Sequence, residues 1–95
     1  MRIDQFLKLS RVVKRRSLAK EMCDKGMVKV NGKSVKASRE ISVGDEVEID
    51  TLTRYFKFKV VEIPQGKNVS KKKAKELIQV LEDRKKDIRE IIDLI

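Results

Sequence analysis

Residues 27–36 read Met27-Val28-Lys29-Val30-Asn31-Gly32-Lys33-Ser34-Val35-Lys36. In this stretch Asn-Gly separates two short runs in which apolar and polar residues alternate. Asn-Gly in such a setting is the strongest local signal for a β-hairpin, because both residues tolerate the positive φ of a type I′ turn. The stretch therefore predicts two short antiparallel strands.

Further strands are predicted downstream of this hairpin. Val43-Gly44-Asp45 has the composition of a turn, and Val47 and Ile49 then alternate with acidic residues, as in a half-buried strand. A longer strand is predicted over residues 55–63, with Phe56, Phe58 and Val60 on one face.

Two short helices are predicted upstream of the hairpin, joined near residues 10–14. Their apolar residues recur at helical spacing, and the second helix ends at Gly26, a natural C-terminal cap. The apolar positions are Ile3, Phe6 and Leu7 in the first helix and Leu18, Ala19, Met22 and Cys23 in the second.

A long C-terminal helix is predicted to begin after Ser70 as its N-cap. Its apolar positions are spaced by threes and fours: Ala74, Leu77, Ile78, Leu81, Ile88, Ile91, Ile92 and Ile95. We expect the first half to cover the sheet and the Ile-rich second half to contact a second copy or a partner protein. The chain thus divides into residues 1–66, a binding domain, and residues 67–95, the helix.

Charge is distributed unevenly along this 95-residue chain, which is the size of one domain. The net charge is +9, and residues 1–40 alone hold 12 basic and 4 acidic side chains. Such an excess of positive charge favours a polyanionic partner. Aromatic residues make up only 4% of the chain, so stacking platforms for single-stranded RNA are not indicated.

Several kinds of chemistry lack the residues that they need. The sequence has no His and a single cysteine, Cys23, which excludes His-based catalysis, disulfides within the chain and the common zinc sites. We expect no cofactor and no metal, and we expect Cys23 to be a small buried apolar residue. No apolar run approaches a membrane span and no secretory signal is visible, so we expect a cytoplasmic protein without a membrane partner.

The candidate binding residues are cations, together with Asn31, grouped on the two N-terminal helices, the link between them and the hairpin. Arg16 and Lys20 are four residues apart and share a helix face opposite Leu18 and Met22. Lys29 and Arg39 also lie on or beside the hairpin, but the predicted RNA-binding set is Arg2, Lys8, Arg11, Lys14, Arg15, Arg16, Lys20, Asn31, Lys33 and Lys36.

Four motifs occur in an order that resembles a known RNA-binding domain. They are residues 1–8 (MRIDQFLK), 13–20 (VKRRSLAK), 28–33 (VKVNGK) and 43–47 (VGDEV). Together they resemble the domain named for the fourth protein of the small ribosomal subunit, also called the alpha-L motif. The resemblance implies an α+β fold, in which two helices pack on a small antiparallel sheet and the second helix and the hairpin grip structured RNA.

The resemblance also implies a function. Free-standing modules of this kind include ribosome-associated quality-control factors and the fifteen-kilodalton heat-shock protein, which bind large ribosomal subunits that carry a stranded peptidyl-tRNA. We therefore expect non-catalytic binding of ribosomal RNA and tRNA, with a nascent-chain quality-control protein as a further partner. The alternatives are a protein-interaction module that uses the Ile-rich helix and, less favoured because no acid-base pair is indicated, an enzyme acting on RNA.

Overall fold

The computed structural model describes residues 1–66 and 68–86. Within these ranges, three helices and five strands follow one another. They are α1 (Ile3–Leu9), α2 (Arg16–Asp24), β1 (Val28–Val30), β2 (Lys33–Ser34), β3 (Glu46–Asp50), β4 (Arg54–Val60), α3 (Lys71–Glu76) and β5 (Ile78–Lys85). The α+β fold, with two short N-terminal helices and an antiparallel sheet, is confirmed.

The five strands form one antiparallel sheet in the order β2-β1-β3-β4-β5. The predicted hairpin joins β1 to β2, and Asn31 and Gly32 have φ values of 51° and 85°, as a type I′ turn requires. The chain also passes from β3 to β4 and from β4 to β5, which are neighbours in the sheet. The connection from β2 to β3 is the exception, because it skips β1 and passes the start of α1.

The core lies between the two N-terminal helices and one face of the sheet. Phe6 of α1 stacks on Phe58 of β4, with ring centroids 6.2 Å apart, and both side chains are fully buried. Val47 and Ile49 of β3 line the same core, as their alternation with acidic residues predicts. Cys23 is also buried there, which confirms its expected place.

The opposite face of the sheet carries a row of alternating charges. Lys29 of β1 lies opposite Glu48 of β3, Glu48 lies opposite Lys57 of β4, and Lys57 lies opposite Glu82 of β5. Opposite charges at facing positions stabilise a sheet by a few tenths of a kcal/mol to about 1 kcal/mol for each pair. We call this surface, with Lys29, Glu48, Lys57 and Glu82 at its centre, the outer sheet face.

The prediction of a long C-terminal helix is wrong over residues 78–85. Ser70 is the N-cap, as predicted, since its hydroxyl accepts a hydrogen bond from the Lys73 amide at 3.1 Å. The helix nevertheless ends at Glu76, and residues 78–85 form β5 along the edge of β4. The predicted apolar positions Ile88, Ile91, Ile92 and Ile95 lie outside the described residues.

The physical reason for this difference is the free edge of β4. All seven residues of β4 pair with β5, and this pairing satisfies backbone groups that a helix in the same place would leave to water. Leu77 is fully buried, whereas Leu81, one turn further along the predicted helix, is 44% exposed. The spacing by threes and fours therefore spans two elements, and the division at residue 66 stays a prediction about independent folding.

Candidate nucleic-acid interface

The first turn of α1 is fastened to the segment that follows the hairpin. The Ile3 amide donates to the Arg39 carbonyl at 2.7 Å, and the Asp4 amide donates to the Ala37 carbonyl at 3.3 Å. Arg2 forms an isolated bridge with Glu40. These bonds hold the N-terminal cation Arg2 beside the end of the hairpin.

Asp4 connects the two helices through two arginines. Its Oδ2 atom lies 3.3 Å from an Nη atom of Arg2 and 3.4 Å from Nε of Arg16. The carboxylate is buried, at 2% exposure, while both arginine side chains remain about half exposed. A buried carboxylate that orients two exposed guanidinium groups leaves their remaining N–H donors available for a phosphate.

Sequence reasoning did not single out Asp4. The signal was present, because Asp4 is the only acid among the first 20 residues, where seven cations surround it in the sequence. The structure shows that this lone acid pairs with Arg2 and Arg16.

Arg2, Lys20 and Lys36 line one shallow surface depression, together with the acid Asp24 and with Ala37 and Ser38. Three predicted binding residues that are distant in sequence therefore meet, and Arg16 joins them through Asp4. We call Arg2, Arg16, Lys20 and Lys36 the Asp4 cluster.

Cys23 also borders this depression, but burial makes its thiol a poor nucleophile at neutral pH. Burial, followed by the negative charges of Asp4 and Asp24, raises the pKa of Cys23 to about 11. The thiol therefore stays protonated and serves the core.

A second group of predicted binding residues surrounds the link between the helices. Lys8, Arg11 and Lys14 line a depression that Asn68 and Val69 close on the other side. Arg11 has a φ of 62°, a left-handed conformation at the end of α1 that costs a residue with a side chain about 1 kcal/mol or more. We call Lys8, Arg11 and Lys14 the link cluster.

The three remaining predicted residues lie apart from both clusters. Arg15 is exposed at the N-cap position of α2, and Lys33 is exposed on the edge strand β2. The Asn31 side chain serves the fold, because it donates to Asp45 at 3.1 Å and accepts from the Glu46 amide at 3.0 Å. The Asn31 main-chain amide also donates, to the Glu46 carbonyl at 2.8 Å, so of its N–H donors one side-chain N–H is left for a ligand.

Cations in the first 40 residues face few acids. Three of the 12 form ion pairs within the described part of the chain, namely Arg2 and Arg16 with Asp4 and Lys25 with Glu21. The cations nearer the C-terminus are more often neutralised, as when Arg54 pairs with Asp83 through two hydrogen bonds of 2.7 and 2.8 Å. Unpaired positive charge is therefore denser in the first 40 residues than in the described residues after them.

The described residues limit other chemistry. Across residues 1–66 and 68–86, no three Asp, Glu or Cys side chains are grouped as a metal site requires. In the same ranges, no helix has the length and apolarity to cross a membrane.

Comparison with known proteins agrees with this geometry. Residues 1–47 match the S4 domain family. A protein of Streptococcus pneumoniae named RQC P-site tRNA stabilizing factor is 48% identical over 63 residues, which cover 66% of this chain and 72% of that protein. A Bacillus subtilis protein of the same name is 40% identical over 86 residues, which cover 90% of this chain and 96% of that protein. The chain belongs to the S4 domain family.

Two solved structures share the arrangement of this S4 protein. Heat Shock Protein 15 of Vibrio cholerae, described as trimeric, matches with a TM-score of 0.76 and 25% identity over 84% of this chain and 80% of its own. A hypothetical protein named HP1423 matches with a TM-score of 0.73 and 40% identity over 84% of this chain and 95% of its own. The resemblance seen in the four sequence motifs is confirmed, while the individual binding residues remain a prediction.

Proposed function

We propose that this S4 protein binds structured RNA without catalysis and acts in ribosome-associated quality control. Its RNA would be ribosomal RNA and tRNA on a large ribosomal subunit that has stalled with peptidyl-tRNA. The relatives of Streptococcus pneumoniae and Bacillus subtilis are named as stabilizing factors of P-site tRNA, and the second of these aligns with nine-tenths of this chain.

The observation that carries the proposal is the Asp4 cluster. One buried carboxylate holds Arg2, at the N-cap of α1, and Arg16 of α2, and Lys20 and Lys36 lie around the same depression. A planar guanidinium with free N–H donors matches the paired oxygens of a phosphate. Rigid placement of several cations suits an RNA whose phosphates have fixed spacing, which is a folded RNA rather than a flexible strand.

The role in quality control would be that of a clamp. By binding tRNA and ribosomal RNA together, the protein would hold the stalled complex in a state on which a nascent-chain quality-control protein acts. No covalent step is assigned to it, and its site of action would be the cytoplasm, where such ribosomal complexes form.

A salt titration of RNA binding tests the electrostatic part of this proposal. With about five phosphate contacts, the logarithm of affinity should fall with the logarithm of salt at a slope of about −3.5 to −4.5, or roughly two to three decades between 50 and 200 mM. Fluorescence anisotropy with labelled tRNA and with a fragment of ribosomal RNA measures the slope. A flat titration would contradict RNA binding through phosphates.

Co-sedimentation tests the ribosomal part. Large subunits carrying peptidyl-tRNA should retain the protein more strongly than empty large subunits at the same salt concentration. Equal retention would leave general RNA binding intact but would reject the stalled complex as the target. RNA crosslinked to the protein in cells, once sequenced, would then identify the actual target.

A further inference from the structure

Helix α3 carries a group of cations that the predicted RNA-binding set does not include. Residues 71–75 read KKKAK, so all but one of these five residues are lysines. The helix lies outside residues 1–47, which match the S4 domain family. The shared domain therefore does not account for this positive charge.

Helical spacing divides these lysines between two sides of α3. Lys71, Lys72 and Lys75 fall within an arc of about 100°, because each residue turns the helix by about 100°. Lys73 falls outside this arc, and its ammonium nitrogen lies 2.8 Å from a carboxylate oxygen of Glu62. We call Lys71, Lys72 and Lys75 the α3 patch.

The α3 patch has no acid to neutralise it among the residues that the structure describes. All three side chains are exposed, and none of them forms an ion pair there. Local preferences oppose this arrangement, because cations near a helix N-terminus oppose the helix dipole and like charges three or four residues apart repel one another. A sequence that accepts both costs in a helix of six residues points to a use for the charge.

Packing against the core fixes the position of α3. Ala74 and Leu77 are buried, and Val69, just before the helix, packs against the core. Ser70 caps the helix by accepting a hydrogen bond from the Lys73 amide. The lysines of the α3 patch therefore extend from a backbone that several contacts hold in place.

The α3 patch continues the link cluster. Asn68 and Val69 border the depression that the link cluster lines. Lys71 follows Val69 by two residues, so their Cα atoms lie no more than about 7 Å apart. The cations of the link cluster likewise form no ion pair with a described residue. Two groups of free cations thus adjoin each other at the ends of α1 and α3.

We propose that the α3 patch binds the phosphate backbone of the same RNA that contacts the link cluster, and this proposal rests on the proposed function. Lysine ammonium groups bind phosphates as point charges, without the paired geometry of a guanidinium group. Contacts of this kind add affinity and orientation but do not read the base sequence. The α3 patch would strengthen the binding of different folded RNAs by similar factors.

The composition of this surface favours RNA over an acidic protein as the partner. Protein interfaces have an apolar core rich in aromatic side chains, and lysine is depleted in them. Among the described residues of the range 68–76, no large apolar side chain is exposed. A surface of lysines without an apolar core is suited to phosphates.

A salt titration of a double variant tests the proposal. In Lys71→Gln, Lys72→Gln two phosphate contacts are lost, so the salt slope of tRNA affinity should become less steep by about 1.4 to 1.8. At about 50 mM salt the affinity should fall about tenfold or more, and by a similar factor for a fragment of ribosomal RNA. Gln has nearly the helix propensity of Lys, so the variant should melt at the same temperature as the parent chain.

The matched control is Lys57→Gln with Lys73→Gln. It removes the same charge, and one of its lysines belongs to α3, but both lysines pair with acids, Glu46 and Glu62. The control should keep the salt slope of the parent chain. Equal changes of slope in the two variants would overturn the proposal, because only bulk charge would then matter.

Chemical modification locates the contact in the unaltered chain. An N-hydroxysuccinimide ester of acetic acid acetylates exposed lysines, and mass spectrometry compares the extent of acetylation with and without tRNA. We expect tRNA to protect Lys71 and Lys72 but not Lys85, which lies at the far end of β5.

The outcomes separate this proposal from the proposed function. A steep salt slope for the parent chain, combined with an unchanged slope in the double variant or with no protection of Lys71 and Lys72, would overturn the role of the α3 patch alone. An acidic protein would then be the better candidate for this surface. A flat titration of the parent chain would instead reject the proposed function, and the α3 patch with it.

Discussion

The outer sheet face and the Asp4 cluster are both rich in charge, but they arrange it differently. At the centre of the outer sheet face, Lys29 and Lys57 lie opposite acids on neighbouring strands, Lys57 between Glu48 and Glu82. In the Asp4 cluster a single acid serves two arginines, and Lys20 and Lys36 have no acid among the described residues within ion-pair distance. The first arrangement is electrically balanced, and the second leaves positive charge for a ligand.

This difference shows that a count of charges does not locate an interface. The basic residues after residue 40 are numerous, yet Arg54, Lys57, Lys73, Arg84 and Lys86 all form ion pairs with acids of the same region. Exposed pairs of this type contribute only about 0 to 1 kcal/mol each to stability. Their main effect is to remove net charge from the sheet surface, which leaves the helices and the hairpin as the positive side.

The largest expected effect is on stability, and it should come from removing residues 67–95, which include the edge strand β5. A chain that ends at Gly66 lacks β5 and the buried Leu77, and it exposes the whole edge of β4. Because a domain of this size has about 5 to 15 kcal/mol of total stability, we expect cooperative thermal unfolding to disappear. Circular dichroism during heating measures it.

A chain that ends after Asp87 is the control for this truncation, and it should fold and bind RNA. If the chain ending at Gly66 also melts cooperatively and binds RNA, then residues 67–95 are an appendage. The division of the chain at residue 66 would in that case be a boundary of independent folding.

The next effect concerns RNA affinity and the positive side of the molecule. Replacing Arg15 and Arg16 together by Gln should weaken RNA binding at least a hundredfold, since each hydrogen bond to a charged group is worth about 1.5 to 3 kcal/mol. The matched control, Lys85→Gln with Lys86→Gln, removes equal charge from the balanced region and should change affinity far less. Equal losses in anisotropy titrations would mean that only bulk charge matters.

Asp4 gives a sharper test, because a pure charge effect and a positioning effect predict opposite changes in RNA affinity when Asp4 is replaced. Asp4→Asn raises the net charge, which alone would strengthen RNA binding, but it also releases Arg2 and Arg16. We expect affinity to fall about three- to tenfold, with a loss of about 1 to 3 kcal/mol of unfolding free energy. Asp83→Asn makes the same charge change at Arg54 and should leave affinity unchanged or slightly higher. A rise in RNA affinity for both variants would show that Asp4 acts only through its charge and does not position the arginines.

The smallest effect belongs to the outer sheet face and depends on pH. Burial, and then the 2.9 Å hydrogen bond that its hydroxyl donates to Glu48, raise the pKa of Tyr55 to about 12. The folded pKa is above the unfolded value of about 10, so the neutral phenol favours the folded state. This contribution is complete below pH about 10 and is lost as the pH rises through about 12.

Tyr55 is the only tyrosine of the chain and there is no tryptophan, so its ultraviolet titration is unambiguous. We expect the pKa of Tyr55 to be higher in the folded protein than in the protein unfolded in guanidinium chloride. We also expect Tyr55→Phe to reduce the loss of unfolding free energy at alkaline pH. RNA affinity at neutral pH should not change in this variant. A folded midpoint near the unfolded one would show that the Glu48 contact is not maintained in solution.

Much of this protein was determined by its sequence alone. The Asn31-Gly32 turn, the end of α2 beside Gly26 and the burial of Phe58 follow from local rules, because positive φ, helix termination and strand alternation depend on residues close together in the chain. The excess of cations in the first 40 residues is likewise a property of composition. The S4 family itself was indicated by the resemblance of four motifs, over residues 1–8, 13–20, 28–33 and 43–47.

The tertiary structure alone decided the fate of residues 78–85 and the organisation of the cations. Apolar spacing by threes and fours was compatible with a helix, but pairing with the free edge of β4 selected a strand, and that edge exists only after the sheet has formed. Asp4 could not be assigned to Arg2 and Arg16 from local patterns, because Arg16 is on another helix. Local preferences act over a few residues, whereas strand edges and buried ion pairs arise from contacts between distant parts of the chain, and for that reason only the folded structure reveals them.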